Sequence, residues 1–249
     1  MNGYSYLAGC YDQLTADVDY PRWADYIEAQ FKRAGRPVRT VLDLACGTGT
    51  LTWILAGRGY DMTGVDLSGD MLSQAAEKAE TSGSEIPPLF LCQSMEKLDL
   101  NDTVDACVCC LDSVNHITSP ARLRRAFARV HLFLSPGGLF LFDINSPRAL
   151  MDMDGGMFID ETEDTYCVWR ADYSARRRIC AFGMDIFRRN GDLWRREREE
   201  HEEYAYTPEE LTGFLKEAGF TRIRQYGNLK LRAPGPSENR IFFTARKVL

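Results

Sequence analysis

Apolar and polar positions change their spacing several times along the chain, and these changes predict four segments. In residues 1–37, the apolar side chains after Pro21 recur at steps of three and four, at Trp23, Ile27, Phe31 and Ala34. This spacing predicts an amphipathic helix, because residues three and four positions apart share one helix face. We expect this first segment to form a helical cap in front of the main domain.

Residues 38–146 alternate short apolar runs with helical patterns, which is typical of βαβ units on a parallel sheet. The runs predicted as strands are Thr40–Ala45, Asp61–Val65, Leu89–Cys92, Val104–Leu111 and Leu139–Ile144. Ser68 is a predicted N-cap of one intervening helix, and Ser119 with Pro120 begins another. The sequence therefore predicts an α/β core.

Residues 147–206 change to period two and carry many aromatic side chains, which predicts an antiparallel β insertion. Asn190-Gly191 is a type I′ hairpin signal, and a two-residue loop there places Phe187 opposite Trp194. We expect the charged run Arg195–Glu203 to be the solvated face of this hairpin.

Residues 207–249 return to the core pattern. Thr207 and Glu210 form a predicted capping box for one helix, and two further strands, Thr221–Tyr226 and Arg240–Arg246, complete the sheet.

Composition limits the function classes. The chain has 249 residues, of which 45% are hydrophobic and 27% charged, so it can form a hydrophobic core. No apolar stretch reaches the roughly 18 to 20 residues of a membrane span, and no secretory signal begins the chain, so we expect a cytoplasmic protein. Eight cysteines in mostly apolar surroundings and only three histidines predict no metal site. The net charge of −6 argues against a nucleic-acid partner.

The clearest candidate site is the run DLACGTG at 43–49, directly after the first predicted strand. Glycines let the backbone approach a ligand closely, and the helix that follows presents free N–H groups. Asp66, at the tip of the second strand, is placed to accept two hydrogen bonds from a ribose diol. Together these residues predict a nucleotide site.

Two residues, Thr52 and Asp43, indicate which kind of nucleotide the site binds. A dinucleotide site needs a third glycine three residues after Gly49, where this chain has Thr52. Asp43 would repel an anionic pyrophosphate but attract the ammonium group of an amino acid. A nucleoside joined to an amino acid, S-adenosylmethionine (SAM), is therefore the predicted cofactor.

Five runs, in this order and spacing, resemble the motif series of class I SAM-dependent methyltransferases: DLACGTGT, VDLSGDML, CQSMEKLDL, VDACVCCLDSVNHI and LSPGGLFLFDIN. The resemblance covers residues 38–146 and implies a Rossmann-like, seven-stranded, mostly parallel sheet with helices on both faces. It implies cofactor contacts from three groups of residues. Asp43, Ala45, Gly47 and Gly49 surround the methionine end; Asp66 holds the ribose; Leu67, Met71, Ser94 and Met95 surround adenine.

The chain departs from the family pattern at two of these positions. Ala45 stands where the first family glycine occurs, and Ser94 stands where many relatives have an aspartate for the adenine amino group. A hydroxyl can accept that hydrogen bond, but without charge assistance.

The acceptor side follows the fourth strand. By the same resemblance, Leu111 and Asp112 face the methionine group and the substrate, and Asn115 and Tyr11 lie near the site. Methyl transfer needs a general base only if the nucleophile must lose a proton. His116, together with Asp112, is the candidate for a base or a substrate ligand.

The predicted class of methyl acceptor depends on two sequence motifs that the chain lacks. The chain has no Asn/Asp-Pro-Pro-Tyr run after strand four and no cysteine before a proline, which argues against two classes of base-methylating enzymes. We therefore expect transfer to an O or N nucleophile of a small molecule. RNA or protein methylation, a catalytically silent SAM-binding subunit and a nicotinamide oxidoreductase remain alternatives. The β insertion is expected to be a substrate lid, or else the surface of a homodimer.

Overall fold

The computed structural model describes residues 7–79 and 86–248, and its elements follow the predicted order. The helices are α1 (Tyr11–Leu14), α2 (Tyr20–Arg33), α3 (Thr50–Gly57), α4 (Gly69–Glu77), α5 (Pro120–Phe133), α6 (Pro147–Asp152) and α7 (Pro208–Glu217). The strands are β1 (Thr40–Leu44), β2 (Asp61–Asp66), β3 (Leu89–Cys92), β4 (Val104–Cys109), β5 (Leu134–Asn145), β6 (Met157–Glu161), β7 (Thr165–Ser174), β8 (Ile179–Asn190), β9 (Leu193–Tyr204), β10 (Thr221–Gly227) and β11 (Arg240–Arg246).

Seven strands form one sheet in the order β10-β11-β5-β4-β1-β2-β3. The strands β1 to β5 pair in parallel, whereas β11 is antiparallel to both β5 and β10. The predicted mostly parallel seven-stranded sheet is therefore confirmed. The strand order reverses between β1 and β4, and in open α/β sheets such a switch point is where ligands bind.

Helices cover both faces of this sheet, because consecutive strand residues point to opposite sides. On β1, Val41 packs with α2 and α3 residues, whereas Leu42 and Leu44 pack with α5 and α7 residues. Asp19 accepts a hydrogen bond from the backbone N–H of Arg22 at 3.1 Å and so caps α2. No helix among residues 7–79 and 86–248 is long and apolar enough to cross a membrane.

Side-chain hydrogen bonds cap the N-termini of four helices in the described part of the chain: α2, α4, α6 and α7. The capping box predicted for α7 is present, with Glu210 N–H donating to Thr207 Oγ1 at 3.2 Å and Thr207 N–H donating to Glu210 Oε2 at 2.9 Å. The start of β5 differs from the prediction: it begins at Leu134 rather than Leu139. Leu134 is already extended directly after α5, and it pairs with Val104 of β4.

The β insertion forms a separate four-stranded sheet in the order β6-β7-β8-β9. The β8–β9 hairpin exists, but its loop lies one residue later than predicted. Asn190 pairs with Leu193, so the loop is Gly191-Asp192 and Phe187 stands opposite Arg196. The predicted pairing of Phe187 with Trp194 is wrong, because Asn190 extends β8 instead of entering the turn.

The charged run on β9 is not uniformly solvated, as the sequence had suggested. Glu199 and Glu203 are buried, whereas Arg196, Arg198 and Glu200 are exposed. Odd-numbered residues of this half of β9 face the interior, where Glu199 Oε1 accepts a hydrogen bond from Leu7 N–H at 3.0 Å. Period two predicts which residues share a face, but it does not reveal that the N-terminal segment covers that face.

Candidate active site

A cavity of about 350 Å³ opens at the carboxyl ends of β1, β2 and β4. This volume is in the range of small-molecule sites. Its wall contains these residues predicted from the sequence: Tyr11, Asp43, Ala45, Gly47, Asp66, Leu67, Met71, Ser94, Met95, Leu111 and His116. The structure does not bring Gly49 or Asp112 to the wall.

The loop after β1 takes left-handed backbone conformations, with φ of 61° at Ala45, 55° at Gly47 and 71° at Gly49. A Cβ on Gly47 would meet no atom within 4 Å, so packing does not require glycine there. The positive φ favours glycine, which leaves the backbone beside the cavity uncovered. A Cβ on Gly49 would lie 2.9 Å from Ala75 Cβ and 3.1 Å from Phe90 Cζ. Gly49 is therefore required by packing behind the wall.

Asp66 ends β2 with its carboxylate on the cavity wall. Its Oδ2 accepts from Gly47 N–H at 2.9 Å, and its Oδ1 accepts from Ser68 N–H at 2.8 Å. Burial raises the pKa of Asp66, and these backbone N–H groups oppose the rise. Each carboxylate oxygen has a second lone pair, so a fixed Asp66 can still accept from two ligand hydroxyls.

Asp43 is a buried carboxyl group on the same wall, under the start of α3. Its Oδ2 accepts a hydrogen bond from Thr52 Oγ1 at 2.5 Å. Burial raises its pKa to about 6, and the Thr52 hydrogen bond opposes that rise. Within the described part of the chain, no lysine or arginine forms an ion pair with Asp43. A cationic ligand group would therefore stabilise the ionised form.

Apolar side chains form the side of the cavity next to β2 and α4. Leu67 is 56% exposed, whereas Met71 is buried in the first turn of α4, which Ser68 caps. Ser94 precedes a short 3-10 turn, Met95–Lys97, and its hydroxyl makes no cap hydrogen bond there. This side therefore offers an apolar slot with one hydroxyl at its edge.

The side of the cavity predicted to face the acceptor is built on a strained turn after β4. The strand ends at Cys109, before the predicted Leu111, because Leu111 and Asp112 take positive φ values of 58° and 52°. Such conformations cost about 1 to 3 kcal/mol and persist only where surrounding contacts hold them. Asp112 N–H donates to Asp143 Oδ2 at 3.0 Å, and Arg240 Nη2 lies 2.7 Å from Asp112 Oδ1.

Arg240 therefore joins the half-buried carboxylate of Asp112 to the buried carboxylate of Asp143 beneath this turn. It forms ion pairs with both Asp112 and Asp143. Burial lowers the pKa of Arg240, but the two carboxylates more than compensate and hold it above the ordinary value. Burial raises the pKa of Asp143 to about 6, although the positive charge of Arg240 opposes this rise. The turn and its ion pairs hold the loop that carries His116.

Two imidazoles lie on the acceptor wall. His116 Nε2 is 3.9 Å from Asp112 Oδ2, and the His201 ring centroid is 5.1 Å from that of His116. Burial lowers the pKa of His116, although Asp112 and Asp66 oppose the shift. Burial and the neighbouring His116 lower the pKa of His201 to about 3. Both rings are therefore neutral at pH 7.

Glu203 lies behind the imidazoles and is buried. Its Oε2 accepts from Asn145 Nδ2 at 3.0 Å, and burial, with the Asp112 charge, raises its pKa to about 8. Ligand-type atoms of His116, His201 and Glu203 all lie within 4.8 Å of one another. An atom that binds a metal ion lies about 2 Å from it. Two ligand atoms 4.8 Å apart would therefore have to move closer together to bind the same ion.

The chain is similar to known proteins over nearly its full length. A family profile described as a methyltransferase domain matches residues 41–138. The putative methyltransferase YqeM of Bacillus subtilis is 33% identical over 246 residues, which cover 98% of this chain and 97% of YqeM. A SAM-dependent methyltransferase from Clostridium acetobutylicum is 31% identical, with a TM-score of 0.88 and 99% of each chain covered. The chain belongs to the SAM-dependent methyltransferases.

The fold of this methyltransferase also occurs in more distant proteins. The sugar N-methyltransferase KedS8 from Streptoalloteichus is 21% identical, with a TM-score of 0.78 over 94% of this chain and 90% of KedS8. The shared fold therefore includes the β insertion as well as the SAM-binding half.

Asn115, expected near the acceptor, has a structural position in this methyltransferase. Its Nδ2 donates to the carbonyls of Asn145, at 3.2 Å, and Tyr204, at 3.0 Å. Its Oδ1 accepts from Asn145 N–H at 3.1 Å, and its own carbonyl accepts from Tyr204 N–H at 2.8 Å. The buried amide thus joins the loop after β4 to the ends of β5 and β9.

The N-terminal segment closes one side of the cavity. Tyr11 is part of the wall, and the adjacent Asp12 accepts from Thr48 Oγ1 at 2.6 Å and pairs with Lys78 at 2.6 Å. Earlier residues pack against the insertion sheet, in a cluster of Leu7, Cys10, Cys167, Met184 and Ile186. The segment therefore connects the glycine loop to the insertion.

Sequence reasoning missed four residues of the acceptor side: Asp143, His201, Glu203 and Arg240. His201 and Glu203 lie two and four positions after Glu199 on β9, so the sequence could have shown that all three side chains lie on one face of the strand. No local pattern marks Arg240 or Asp143, because their roles depend on strand neighbours that lie far apart in the chain.

Proposed function

We propose that this methyltransferase transfers the methyl group of SAM to an amine nitrogen of a small molecule. His116 accepts the proton that the nitrogen loses. The observation that carries the proposal is the position of the His116 imidazole on the cavity wall, with its Nε2 3.9 Å from the Asp112 carboxylate.

The cofactor half of the cavity suits SAM. Asp43 pairs with the ammonium group, Asp66 accepts from the ribose hydroxyls, and Leu67 with Met71 packs against adenine. When bound, SAM supplies a methyl group on a positively charged sulfur, which an incoming nucleophile displaces in line. The fit rests on a buried carboxyl group without an ion-pair partner among the described residues, next to a carboxylate already oriented by Gly47 N–H.

His116 suits the role of the base. A neutral imidazole has one nitrogen that can accept a proton, and the pKa of His116 is below its ordinary value because the side chain is buried. Taking up a proton makes the ring cationic, and the nearby Asp112 carboxylate stabilises that charge. The Arg240 ion pairs keep Asp112 in place during the transfer.

The size of the cavity, about 350 Å³, favours a small acceptor. β9 contributes His201 and Glu202 to the wall, so the insertion is part of the surface that meets the acceptor. KedS8, which shares this two-sheet fold, is described as acting on a sugar nitrogen. A small molecule with a primary or secondary amine is therefore the proposed acceptor, and a hydroxyl compound is the competing one.

The test uses SAM with a labelled methyl group and a panel of amino sugars, alkyl amines, hydroxyl compounds, RNA and protein. We expect label on amines, and we expect wild-type turnover to fall with acid as His116 becomes protonated. His116→Gln should lose turnover by about 10²- to 10⁴-fold, with SAM affinity in calorimetry unchanged. His131→Gln is the matched control, since His131 packs on Phe220 away from the cavity.

Label on RNA or protein but on no amine would refute the acceptor class, and label on hydroxyl compounds alone would refute the nitrogen. Full activity in His116→Gln, with the same acid limb as wild type, would refute the role of the base.

A further inference from the structure

β9 carries two halves of opposite charge along a single strand. Three arginines and one glutamate occupy Arg195–Arg198, and three of the next four residues, Glu199–Glu202, are glutamates, followed by Glu203. A strand with this pattern is complementary to a second copy of itself in the antiparallel direction. In the parallel direction the same halves would repel each other.

β9 is also an open edge of the four-stranded sheet. At its end, Tyr204 turns its N–H and carbonyl away from β8 towards Asn115. Backbone groups alternate in direction along a strand, so Arg196, Arg198, Glu200 and Glu202 turn theirs to the same side. Among the described residues, no backbone group pairs with those four on that side. Within residues 7–79 and 86–248, the edge therefore offers a row of unpaired hydrogen-bonding groups.

The side chains of the same four residues form the outer row of the strand. Arg198 and Glu200 are each 67% exposed and pair with each other at 2.6 Å. Such an exposed pair contributes little to stability, so either side chain can change partner at small cost. Near the start of the strand, Leu193 and Trp194 leave large apolar surfaces exposed.

We propose that two copies of the chain pair β9 against β9, antiparallel, about a two-fold axis at Glu199. In this register, Arg198 stands opposite Glu200 of the second copy, and Arg196 stands opposite Glu202. These residues are also the ones whose backbone groups face the free edge, so charge pairing and backbone pairing agree. The two insertion sheets become one eight-stranded sheet.

This register also explains where the pairing ends. Beyond Glu202 the backbone of Tyr204 is already bonded to Asn115, so the shared segment runs from Arg196 to Glu202. Trp194 then stands opposite Tyr204 of the second copy and loses part of its exposed surface. Glu202 is on the cavity wall, so Arg196 of the second copy, which stands opposite it, lies at the rim of the acceptor site.

The test is a charge exchange on the full-length protein, measured by sedimentation equilibrium. The wild-type chain should be a dimer whose dissociation constant rises with salt. Arg198→Glu and Glu200→Arg should each weaken the dimer by about tenfold or more, because each substitution puts like charges opposite each other twice. An equimolar mixture of the two variants should restore wild-type affinity as a mixed dimer, since every pair is then opposite in charge.

Arg224→Glu is the matched control, because Arg224 is an exposed arginine on β10, the edge strand of the other sheet. It should leave the dimer unchanged. SAM binding measured by calorimetry shows whether each variant is folded. If one variant does not fold, the other variant and the salt dependence of the wild-type dimer still test the proposed pairing.

A wild-type monomer at all concentrations would overturn the proposal, because the charges would then serve to keep the edge unpaired. Dimers of unchanged affinity in both variants, or variants that do not recover affinity on mixing, would overturn it as well.

Discussion

Protonation of Asp43 should weaken the binding of SAM, and the structure sets both the direction and the pH. Burial raises the pKa of Asp43 in the free protein to about 6. A bound ammonium group favours the ionised carboxylate, so the complex holds fewer protons on Asp43 than the free protein does. Affinity is therefore full above pH 6 and is lost as the pH falls through that value.

The size of the effect follows from the ionised fraction. At pH 5, one unit below the pKa, only about a tenth of the Asp43 side chains carry a charge. The dissociation constant for SAM should therefore be about tenfold larger at pH 5 than at pH 7, equivalent to about 1.4 kcal/mol. Calorimetry in buffers of different ionisation enthalpy measures the affinity and the number of protons released.

Two variants isolate this residue. Asp43→Asn keeps an oxygen for Thr52, loses the charge, and should bind SAM weakly with little dependence on pH. Asp61→Asn removes an exposed carboxylate at the other end of β2 and should behave as wild type. Any dependence that remains in Asp43→Asn belongs to Asp66, whose pKa is also raised by burial. If the Asp43→Asn variant has the same pH dependence as the wild type, the assignment of the ammonium to Asp43 is wrong.

Three further outcomes follow from the geometry. Asp66→Ala should weaken SAM by one to two decades in calorimetry, since charge-assisted hydrogen bonds contribute about 1.5 to 3 kcal/mol, and unchanged affinity would refute the ribose assignment. Gly49→Ala should destabilise the fold in urea unfolding well beyond Gly35→Ala, because both have φ of 71° but only Gly49 has a neighbour at 2.9 Å; equal losses would show that backbone strain alone matters. Asn115→Ala should lower the free energy of unfolding by about 1 to 3 kcal/mol for each buried group left unpaired, and a near-neutral change would mean that water replaces the amide.

The meeting of the predicted cofactor residues at one cavity follows closely from the sequence. The glycine loop and Asp66 follow two neighbouring strands, and parallel strands joined by helices place their carboxyl ends together. Ala45, Gly47 and Asp66 therefore meet at the predicted cavity. Gly49 was predicted at the methionine end of the cofactor, but the structure places it in packing contacts behind the cavity wall. A glycine required by packing and one required by a ligand look alike in a sequence.

The acceptor half was decided by the tertiary structure. Arg240 and Asp143 are 97 positions apart, and they meet only because β11 pairs beside β5. The strained turn at Leu111 carries no local signal, since its support comes from those two distant residues.

The insertion shows the same division. Its period of two established which residues of β9 share a face, because strand side chains alternate. Whether that face meets water or protein depends on the segment packed against it, and Leu7 and the loop of His116 lie far from β9 in sequence. The sequence by itself thus determined the sheets and the glycine loop, which arise from local spacing. The buried state of Glu199 and Glu203 and the imidazole pair at the acceptor wall required the packing of distant segments.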